Sequence, residues 1–490
     1  MSELARDATW RHLDARMLLV HPVNELVRFL PLVVGVFVLG SSSEGDPWHY
    51  LGVAVPIALG LWRFASTRFR ITGSQIELRR GLLGRSVLTT PLDRVRTVEL
   101  TAPPIHRLLG LAKVEIGTGS GVRTGDNRLV LDSLGAAEGR RLRAELLGRV
   151  PQAPGPVEAP PAGETVIMRL DPTWVRFAPL TTSGLVIALA ALGGSSQLFG
   201  NAVGRAASSS SVDERVRALP LLVSVPAGAL VFLALISVLA VSGYVLANWG
   251  FTLSRDGDGR SFHVRRGLLT TRETSIDVER LRGLEVHEPL GLRLAGGGRL
   301  TAVVTGLSRR GEGSAALVPP APGSVVIGVG EQLLDEAGPL RVALTPHGAA
   351  ARRRRYLRAL VPASLLPVAL GTLWVAADWP LWTALVALLA PGAGLWLAAD
   401  RYAGLGHALT DRYLVVRSGS FQGHRDALQR SGIIGWSIRQ TFFQRRAGLC
   451  TLSATTAAGR QVYHAVDVPE EVAVALADAA VPGLVSQFVE

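Results

Sequence analysis

Arg79-Arg80-Gly81-Leu82-Leu83 is the stretch that decides the architecture, because it returns later in the chain as Arg265-Arg266-Gly267-Leu268-Leu269. A weaker third copy reads Arg417-Ser418-Gly419-Ser420-Phe421. Aligned without gaps from Arg79 to Gly110, the first two copies share 12 of 32 residues. Identity at a fixed spacing indicates an internal repeat, so we expect one structural module built three times.

Each copy also carries an arginine and a second glycine at the same distances from its central glycine. The central glycines are Gly81, Gly267 and Gly419, the arginines are Arg107, Arg293 and Arg445, and the later glycines are Gly110, Gly296 and Gly448. Recurrence within one chain favours a shared structural need, such as an arginine that ties down a strand end, over ligand binding. The third copy has diverged, since Gly432 and Ile434 replace its two mid-repeat arginines.

Short alternating runs predict that the module is a small β-structure closed by a helix. Residues 68–72 and 75–78 alternate around the turn pair Gly73-Ser74. Residues 136–147 then show apolar positions at helical spacing. The third module ends similarly, where Pro469-Glu470-Glu471 opens a helix. Several strands followed by one helix predict a barrel or sandwich plugged by that helix.

Apolar segments precede the modules in three pairs. The chain is 48% hydrophobic and 18% charged, with a mean hydropathy of +0.30, which indicates membrane spans. Buried helix pairs of a soluble protein are the alternative, and three separate pairs with short linkers argue against it. The predicted pairs are 26–40 with 48–64, 175–198 with 219–249, and 357–377 with 379–399.

The distribution of arginine predicts the orientation. Arginines flank the first and third pairs, whereas the loops at 41–47 and 377–379 contain none. By the positive-inside rule, both termini and the modules lie in the cytoplasm, on the inner face of the cell membrane. The second pair departs from the pattern, because its loop carries Arg205, Arg215 and Arg217.

The module and its hairpin resemble the bacterial pleckstrin-homology-like (PH-like) domain family, bPH2, formerly DUF304. The resemblance lies in the Arg-Gly-Leu-Leu hairpin, the strand at 91–98 and the segment Arg-Leu-Leu-Gly-Leu at 107–111. The opening residues 16–22 are similar to the lead-in of YdbT-like membrane members. The resemblance implies a PH-like barrel in a multi-pass membrane protein, and it implies no established catalytic activity.

The predicted fold is therefore an α+β multi-pass membrane protein of three units. Each unit is a transmembrane helical hairpin followed by a PH-like β-barrel or sandwich with a C-terminal helix. The predicted boundaries are an N-terminal segment with hairpin 1 at 1–64, module 1 at 65–150, a proline-rich linker at 151–163, hairpin 2 at 164–249, module 2 at 250–340, hairpin 3 at 341–400 and module 3 at 401–490.

The motifs of several enzyme and metal classes are missing. Lys113 is the only lysine and lies outside any Gly-Lys-Ser/Thr sequence, which excludes a P-loop. Cys450 is the only cysteine, so intrachain disulfides and Cys-paired metal sites are excluded. The histidines show no His-x-x-x-His spacing, and the glycines at 117–121 are predicted to form a hairpin turn. We therefore expect no enzyme, no catalytic residue, no cofactor and no metal.

Positive charge concentrates on module 1. Residues 65–150 carry a net charge of +7, against zero for 248–338 and +2 for 401–490. Two interpretations are open: membrane topology alone, or binding of anionic phospholipid headgroups. The candidate arginines are Arg68, Arg70, Arg79, Arg80, Arg94 and Arg96. Nucleic acid is not expected, because no aromatic residues alternate with arginine on one strand face.

The sequence predicts a non-enzymatic scaffold or membrane-organising protein, with a role in envelope stress open. It would act by packing of modules or by docking a partner along a sheet edge. The expected partners are the lipid bilayer and a membrane or cytoplasmic protein, or a second copy in a homo-oligomer. Anionic-lipid handling is the first alternative. A transporter component is the second, disfavoured by the near absence of charge within the spans.

Overall fold

The sheets of this protein are short antiparallel strands, as the alternating runs predict. The computed structural model describes part of the chain, and every structural statement below concerns that part. It comprises residues 10–14, 16–17, 67–72, 75–80, 86–91, 95, 97–117, 129–146, 163–181, 221–305, 316–336, 338–377 and 379–483. The chain forms two compact units, one of Met1–Arg169, Leu246–Arg280 and Thr305–Ser314, the other of Leu170–Val245, Leu281–Val304 and Ala315–Glu490.

The first unit contains two antiparallel sheets. The four-stranded sheet has the order β1-β2-β3-β4, with β1 at Arg11–His12, β2 at Arg68–Ile71, β3 at Gln75–Arg80 and β4 at Ser86–Pro91. The seven-stranded sheet has the order β7-β6-β5-β11-β10-β9-β8. Its strands are β5 at Thr97–Ala102, β6 at Leu111–Gly117, β7 at Leu129–Gly135, β8 at Thr165–Arg169, β9 at Thr252–Arg255, β10 at Ser261–Arg266 and β11 at Thr271–Asp277.

The core of module 1 lies between these two sheets and a helix. Phe69 and Ile76 of the first sheet pack in one apolar cluster with Val114 and Leu129 of the second. The short helix α1 (Pro104–Leu108) links β5 to β6, and α2 (Ala136–Leu146) adds Leu142 to the same cluster. The helix predicted at 136–147 is therefore present and closes the module by burying one face.

The second unit contains the remaining two sheets. The six-stranded sheet has the order β14-β13-β12-β17-β16-β15, with β12 at Leu281–Pro289, β13 at Gly297–Val304, β14 at Ala316–Pro322, β15 at Gly406–Leu409, β16 at Tyr413–Ser418 and β17 at Gln422–Gln429. The three-stranded sheet has the order β18-β19-β20, with strands at Ile433–Arg439, Leu449–Thr456 and Val462–Pro469. Helices α4 (Leu290–Leu294) and α9 (Phe442–Arg446) are short, and α5 (Gly323–Leu334) and α10 (Glu470–Ala480) close modules 2 and 3.

Three helices among the described residues are long and apolar enough to cross a membrane. They begin with α3 (Leu221–Asn248), whose apolar span is Leu230–Asn248. The others are α6 (Gly348–Ala377) and the segment Leu381–Ala403, which consists of α7 (Leu381–Ala387) and α8 (Ala390–Ala403). Helix α6 packs along α7 and α8 as a helical hairpin. Hairpin 1, predicted within residues 1–64, lies outside the described residues from position 18 onward.

The predicted start of hairpin 2 at residue 164 is wrong. Residues Thr165–Arg169 form β8, which pairs with β9 and so belongs to the sheet of module 2. The following residues, Pro172–Leu180, form a 3-10 helix capped by Asp171, with Trp174 and Phe177 buried. The apolar segment predicted from residue 175 therefore starts with residues that pack inside the protein.

In the other modules, too, a segment before the apolar residues pairs with the strand that follows them. Strand β1 precedes hairpin 1 and pairs with β2, which follows it. In module 3, Thr345 bridges to His407 across hairpin 3. Each apolar segment thus lies between the first and second strand positions of a module. We therefore define module 1 as β1–β7 with α2, module 2 as β8–β14 with α5, and module 3 as β15–β20 with α10.

Candidate functional site

Two sheets join strands of neighbouring modules edge to edge, and these joints are the first candidate site. In the first joint, β5 of module 1 pairs antiparallel with β11 of module 2. In the second joint, β12 of module 2 pairs antiparallel with β17 of module 3. Each joint satisfies the hydrogen bonds of two strand edges that would otherwise be exposed. The modules are therefore connected by backbone pairing as well as by the chain.

The two joints have the same register when the repeat copies are superimposed by sequence. The equivalent pairs are Leu100–Glu273 with Val286–Arg425, Glu99–Thr274 with Glu285–Asp426, and Val98–Ser275 with Leu284–Ala427. A shift of one residue would turn every side chain to the other face of the sheet. The shared register indicates that the joint belongs to the repeat and is not an accident of packing.

Arg107 fixes module 1 to the hairpin that follows β10 in module 2. Its Nη1 donates a hydrogen bond to the carbonyl oxygen of Leu268 at 2.7 Å. The N–H of Gly267 donates to the carbonyl oxygen of Trp249 at 2.9 Å, directly after α3. Gly267 has a φ of +107°, which a side chain disfavours. The arginine thus reaches a loop that lies at the end of an apolar helix.

Arg293, the equivalent residue of module 2, also lies near the end of an apolar helix. Its Nη2 pairs with Oδ1 of Asp400 at 2.5 Å near the end of α8. The other oxygen of Asp400 accepts a hydrogen bond at 2.5 Å from Ser420, in the loop between β16 and β17. This loop also contains Gly419, with a φ of +99°. Arg107 therefore contacts the hairpin loop of the next module directly, and Arg293 is linked to the equivalent loop through Asp400.

The remaining repeated glycines end short helices. Gly110, Gly296 and Gly448 follow α1, α4 and α9 with φ values of +71°, +67° and +63°. This left-handed conformation ends a helix at little cost only for glycine. Gly81 lies outside the described residues. Arg445 lies in the last turn of α9, exposed to solvent.

Exposed apolar side chains cluster on the three short helices. Leu108 of α1 and Leu294 of α4 occupy equivalent positions and are largely exposed. Phe442 and Phe443 of α9 are also exposed and contact each other edge to face. The arginines beside Leu108 and Leu294 link α1 and α4 to residues near the ends of apolar helices.

A buried polar network occupies the second joint. Tyr463 donates a hydrogen bond to Oε1 of Glu285 at 2.6 Å, and Nε of Arg460 donates to the same oxygen at 3.1 Å. Nη2 of Arg460 donates to Asp426 at 2.6 Å. Glu285 and Asp426 face each other across β12 and β17. One arginine therefore bridges two buried carboxylates, one from each module.

This environment shifts the pKa values of the two carboxyl groups in opposite directions. Burial raises the pKa of Asp426 to about 7, and the charge of Arg460 only partly offsets it. Burial also opposes ionisation of Glu285, but hydrogen bonds from His287 and Tyr463 with the charge of Arg460 lower its pKa to about 2. The difference follows from the number of donors each carboxylate receives. Oδ1 of Asp426 is buried without a hydrogen bond among the described residues.

We expect Asp426→Asn to reduce the pH dependence of stability. A carboxyl group whose folded pKa lies above its unfolded value of about 4 stabilises the fold at low pH. That contribution is lost as the pH rises through about 7. The wild-type midpoint of thermal unfolding should therefore fall, relative to that of the variant, between pH 5 and pH 8. The comparison cancels the titration of residues common to both proteins. A difference in the midpoint of thermal unfolding that stays constant between pH 5 and pH 8 would contradict the prediction.

A second ion cluster ties the apolar hairpin α6–α8 to module 3. Asp467, fully buried at the end of β20, pairs with Arg354 and with Arg355 at 2.7 Å. Gln444 of α9 donates a third contact to Asp467 at 2.9 Å. Two of the arginines that flank hairpin 3, Arg354 and Arg355, therefore make specific contacts within the protein.

Two histidines pack beside this cluster. The rings of His347 and His407 lie 5.1 Å apart, and Nδ1 of His347 donates to the carbonyl oxygen of Val466 at 2.9 Å. Burial lowers the pKa of His407 to about 4, so its ring is neutral at pH 7. We call this region between hairpin 3 and module 3 the neck: it consists of the His347 and His407 rings and the ion cluster of Arg354, Arg355 and Asp467.

The arginines predicted to bind lipid separate into distinct environments. Arg68 and Arg79 lie opposite each other on β2 and β3, and both are exposed. Arg79 stacks on Trp10 at 4.2 Å from the ring centre, and Arg70 lies 4.8 Å from the same ring. Arg70 is also paired with Glu77 at 2.6 Å. The structure therefore brings three of the six candidates to one face and engages one of them internally.

The other three candidates are Arg80, Arg94 and Arg96. Arg80 ends β3, while Arg94 and Arg96 lie outside the described residues. The equivalents of Arg94 and Arg96 in module 2 are bonded to other parts of the protein. Arg280 donates a hydrogen bond to the carbonyl oxygen of Val95 at 2.6 Å, and Arg282 donates one to Gln429 at 3.1 Å.

One further group has the composition of a metal site. Ligand atoms of Glu164, Asp256 and His263 lie within 4.8 Å of one another. Ser254 donates to Glu164 at 3.0 Å, and Nδ1 of His263 is hydrogen-bonded to Ser275 at 2.8 Å. These bonds explain the positions of both side chains without an ion.

The polar residues of the second joint and of the neck were not predicted from the sequence. Glu285 could have been found, because it is an acidic residue within an apolar strand and repeats Glu99. Asp426, Arg460 and Asp467 offer no comparable signal, since their partners lie far away in the chain.

Comparison with known proteins gives one family. The model of the bacterial PH domain matches residues 25–150, 212–322 and 361–480. No curated protein and no solved structure matches the chain. The three matches follow the three repeats and confirm the resemblance inferred from the sequence.

Proposed function

Because the chain belongs to the bacterial PH domain family along most of its length, we propose that it is a membrane-anchored scaffold without catalytic activity. In this proposal the joints hold neighbouring modules edge to edge beside the bilayer, as a platform for other proteins. The observation that carries the proposal is the pair of joints with one register. Backbone pairing fixes strands of neighbouring modules to each other, as a scaffold requires.

Membrane attachment is supported by the apolar helices and their links to the modules. Spans of 19 to 30 residues are long enough for the hydrocarbon core of a bilayer. Arg354 and Arg355 link α6 to module 3 through Asp467. A platform held at several points would keep a fixed orientation toward the membrane. The distribution of arginine favours the cytoplasmic side of the inner membrane.

The scaffold role is tested by gentle purification of the full chain from native membranes. Mass analysis of co-purifying proteins and retained lipids should find a protein in a fixed ratio to the chain. Turnover of a substrate that one point change abolishes would overturn the proposal. A role in envelope stress would follow only if the partner belongs to that response.

Binding of anionic lipid is the second candidate, and the pair Arg68–Arg79 favours it. Like charges directly opposite each other on a sheet destabilise it unless an anion lies between or beside them. Both side chains are exposed and available. Trp10 beneath Arg79 would hold that guanidinium in position.

We expect the double change Arg68→Ala and Arg79→Ala to weaken retention of phosphatidylglycerol by the purified full chain. Each arginine near an anionic surface contributes about 1 kcal/mol, so two correspond to roughly 30-fold weaker binding at low salt. Native mass spectrometry of the detergent-solubilised protein measures the retained lipid. Arg299→Ala, at an exposed position of β13, is the matched control. Equal retention by all three proteins, or retention insensitive to salt, would remove this candidate.

A further inference from the structure

The edge strands of the described sheets include β18 and β4. Strand β18 of module 3 pairs only with β19, and β4 of module 1 pairs only with β3. By position in the repeat, β18 corresponds to β5 and β12, and β4 corresponds to β11 and β17. These are the same two kinds of edge that form both joints.

We infer that β18 of one chain pairs with β4 of a second copy, forming a third joint in the same antiparallel register. The inference rests on the scaffold function proposed above and names a second copy of the chain as the partner. Since the two edges are different surfaces, each copy can bind one neighbour at each end. Such a head-to-tail contact produces a ring if it closes and an open array if it does not.

The shared register brings exposed apolar side chains into contact. It places Ile438 opposite Val87, which are 41% and 51% exposed. The equivalents of Ile438 within the two existing joints, Leu100 and Val286, are 6% and 3% exposed. Burial at this position thus accompanies a neighbouring strand, and Ile438 has no such strand beside it among the described residues.

The register also supplies a partner for a buried donor. Nε1 of Trp436 is buried without a hydrogen bond among the described residues. The third joint would place Thr89, with its hydroxyl group, opposite Trp436. Buried polar groups are rarely left unpaired.

The two edges carry few of the features that usually prevent strand addition. Strand β18 has a register irregularity between Ile433 and Gly435, and β12, which has one at the equivalent position, still pairs with β17. Exposed edges are normally protected by charged residues, proline or bulges. Strand β4 has no charged residue and only a terminal proline, Pro91. Strand β18 has a single charge, at its last residue, Arg439. Both edges are therefore suited to accept another strand.

The third repeated arginine agrees with this arrangement. Arg107 binds the β10–β11 loop of module 2 directly, and Arg293 pairs with Asp400 of α8, which in turn accepts a hydrogen bond from the equivalent loop of module 3. Arg445 is exposed, and no hydrogen bond or ion pair involves its side chain among the described residues. In a head-to-tail assembly, Arg445 would have a following module supplied by the second copy.

Site-directed cross-linking tests the third joint directly. The background is Cys450→Ala, because the equivalent residue of module 1 is the buried Ala112. One tagged chain carries Val87→Cys, and a differently tagged chain carries Ile438→Cys. The two full-length chains are co-expressed, and their native membranes are oxidised. Directly opposite residues of antiparallel strands meet the distance requirement for a disulfide.

We expect a disulfide-linked dimer that contains both tags. The matched control replaces Ile438→Cys by Ser437→Cys, which lies on the other face of β18, and should give about tenfold less product. Equal yields from both pairs would overturn the register, and no product from either would overturn the joint. A chain carrying Cys at both positions that closes only on itself would overturn pairing between copies. If no cross-link forms and a protein of different sequence co-purifies, the scaffold function stands and pairing with a second copy is overturned.

Discussion

Replacement of Asp467 by alanine will destabilise module 3 by about 3–5 kcal/mol. Asp467 is fully buried and compensates Arg354 and Arg355, whose side chains are themselves mostly buried. Removal of the shared anion leaves two desolvated guanidinium groups without a counter-charge, which costs more than the net contribution of an intact pair. Urea unfolding of the purified full chain, followed by tryptophan fluorescence, measures the loss.

Two variants separate charge from backbone geometry at this site. Asp467 has a φ of +60°, a conformation that asparagine tolerates better than alanine. Asp467→Asn therefore keeps the backbone and removes the charge, and most of the loss should persist. Asp478→Ala, at an exposed position of α10, is the matched control and should change stability by less than about 0.5 kcal/mol. If Asp467→Ala behaves like this control, the ion cluster does not hold the neck.

Replacement of Arg460 by methionine will destabilise the second joint by about 3 kcal/mol. The value lies at the low end of the range because the arginine side chain is about a third exposed. Without Arg460, Glu285 and Asp426 face each other as two buried carboxyl groups with no shared cation. Their pKa values should rise, so the stability they contribute is present at low pH and lost as the pH increases.

The pH dependence distinguishes this effect from simple loss of packing. The difference in unfolding free energy between wild type and Arg460→Met should be larger at pH 8 than at pH 5. Arg299→Met provides the matched control, because Arg299 is exposed on the adjacent strand β13. A loss that is the same at both pH values would show that the network acts through shape and not through charge.

Local features of the fold were predictable from the sequence because they depend on local patterns. The repeated Arg-Arg-Gly-Leu-Leu stretch located the hairpins, and alternation located the strands around them. The helix α10 follows from Pro469 and the acidic residues of its first turn. Strand β8 was missed, since five residues between a proline-rich stretch and an apolar segment carry little pattern of their own.

The candidate site was less predictable because its contacts join distant parts of the chain. Alternation identifies a strand but does not name its neighbour, so the pairing of β5 with β11 and of β12 with β17 required the structure. Arginines beside an apolar span predict membrane topology, and nothing near residue 354 points to Asp467. The repeated arginines were expected to serve a structural need; Arg107 contacts the neighbouring module, and Arg293 pairs with Asp400 of the apolar helix α8.

The central claim is that two equivalent joints hold neighbouring modules together edge to edge. Hydrogen exchange of the full chain in its native lipid, resolved to single amides, tests it most directly. We predict that amides of β11 facing β5, and of β17 facing β12, are as protected as amides inside each sheet. Rapid exchange at those amides, with protection retained on the other side of the same strands, would contradict the account.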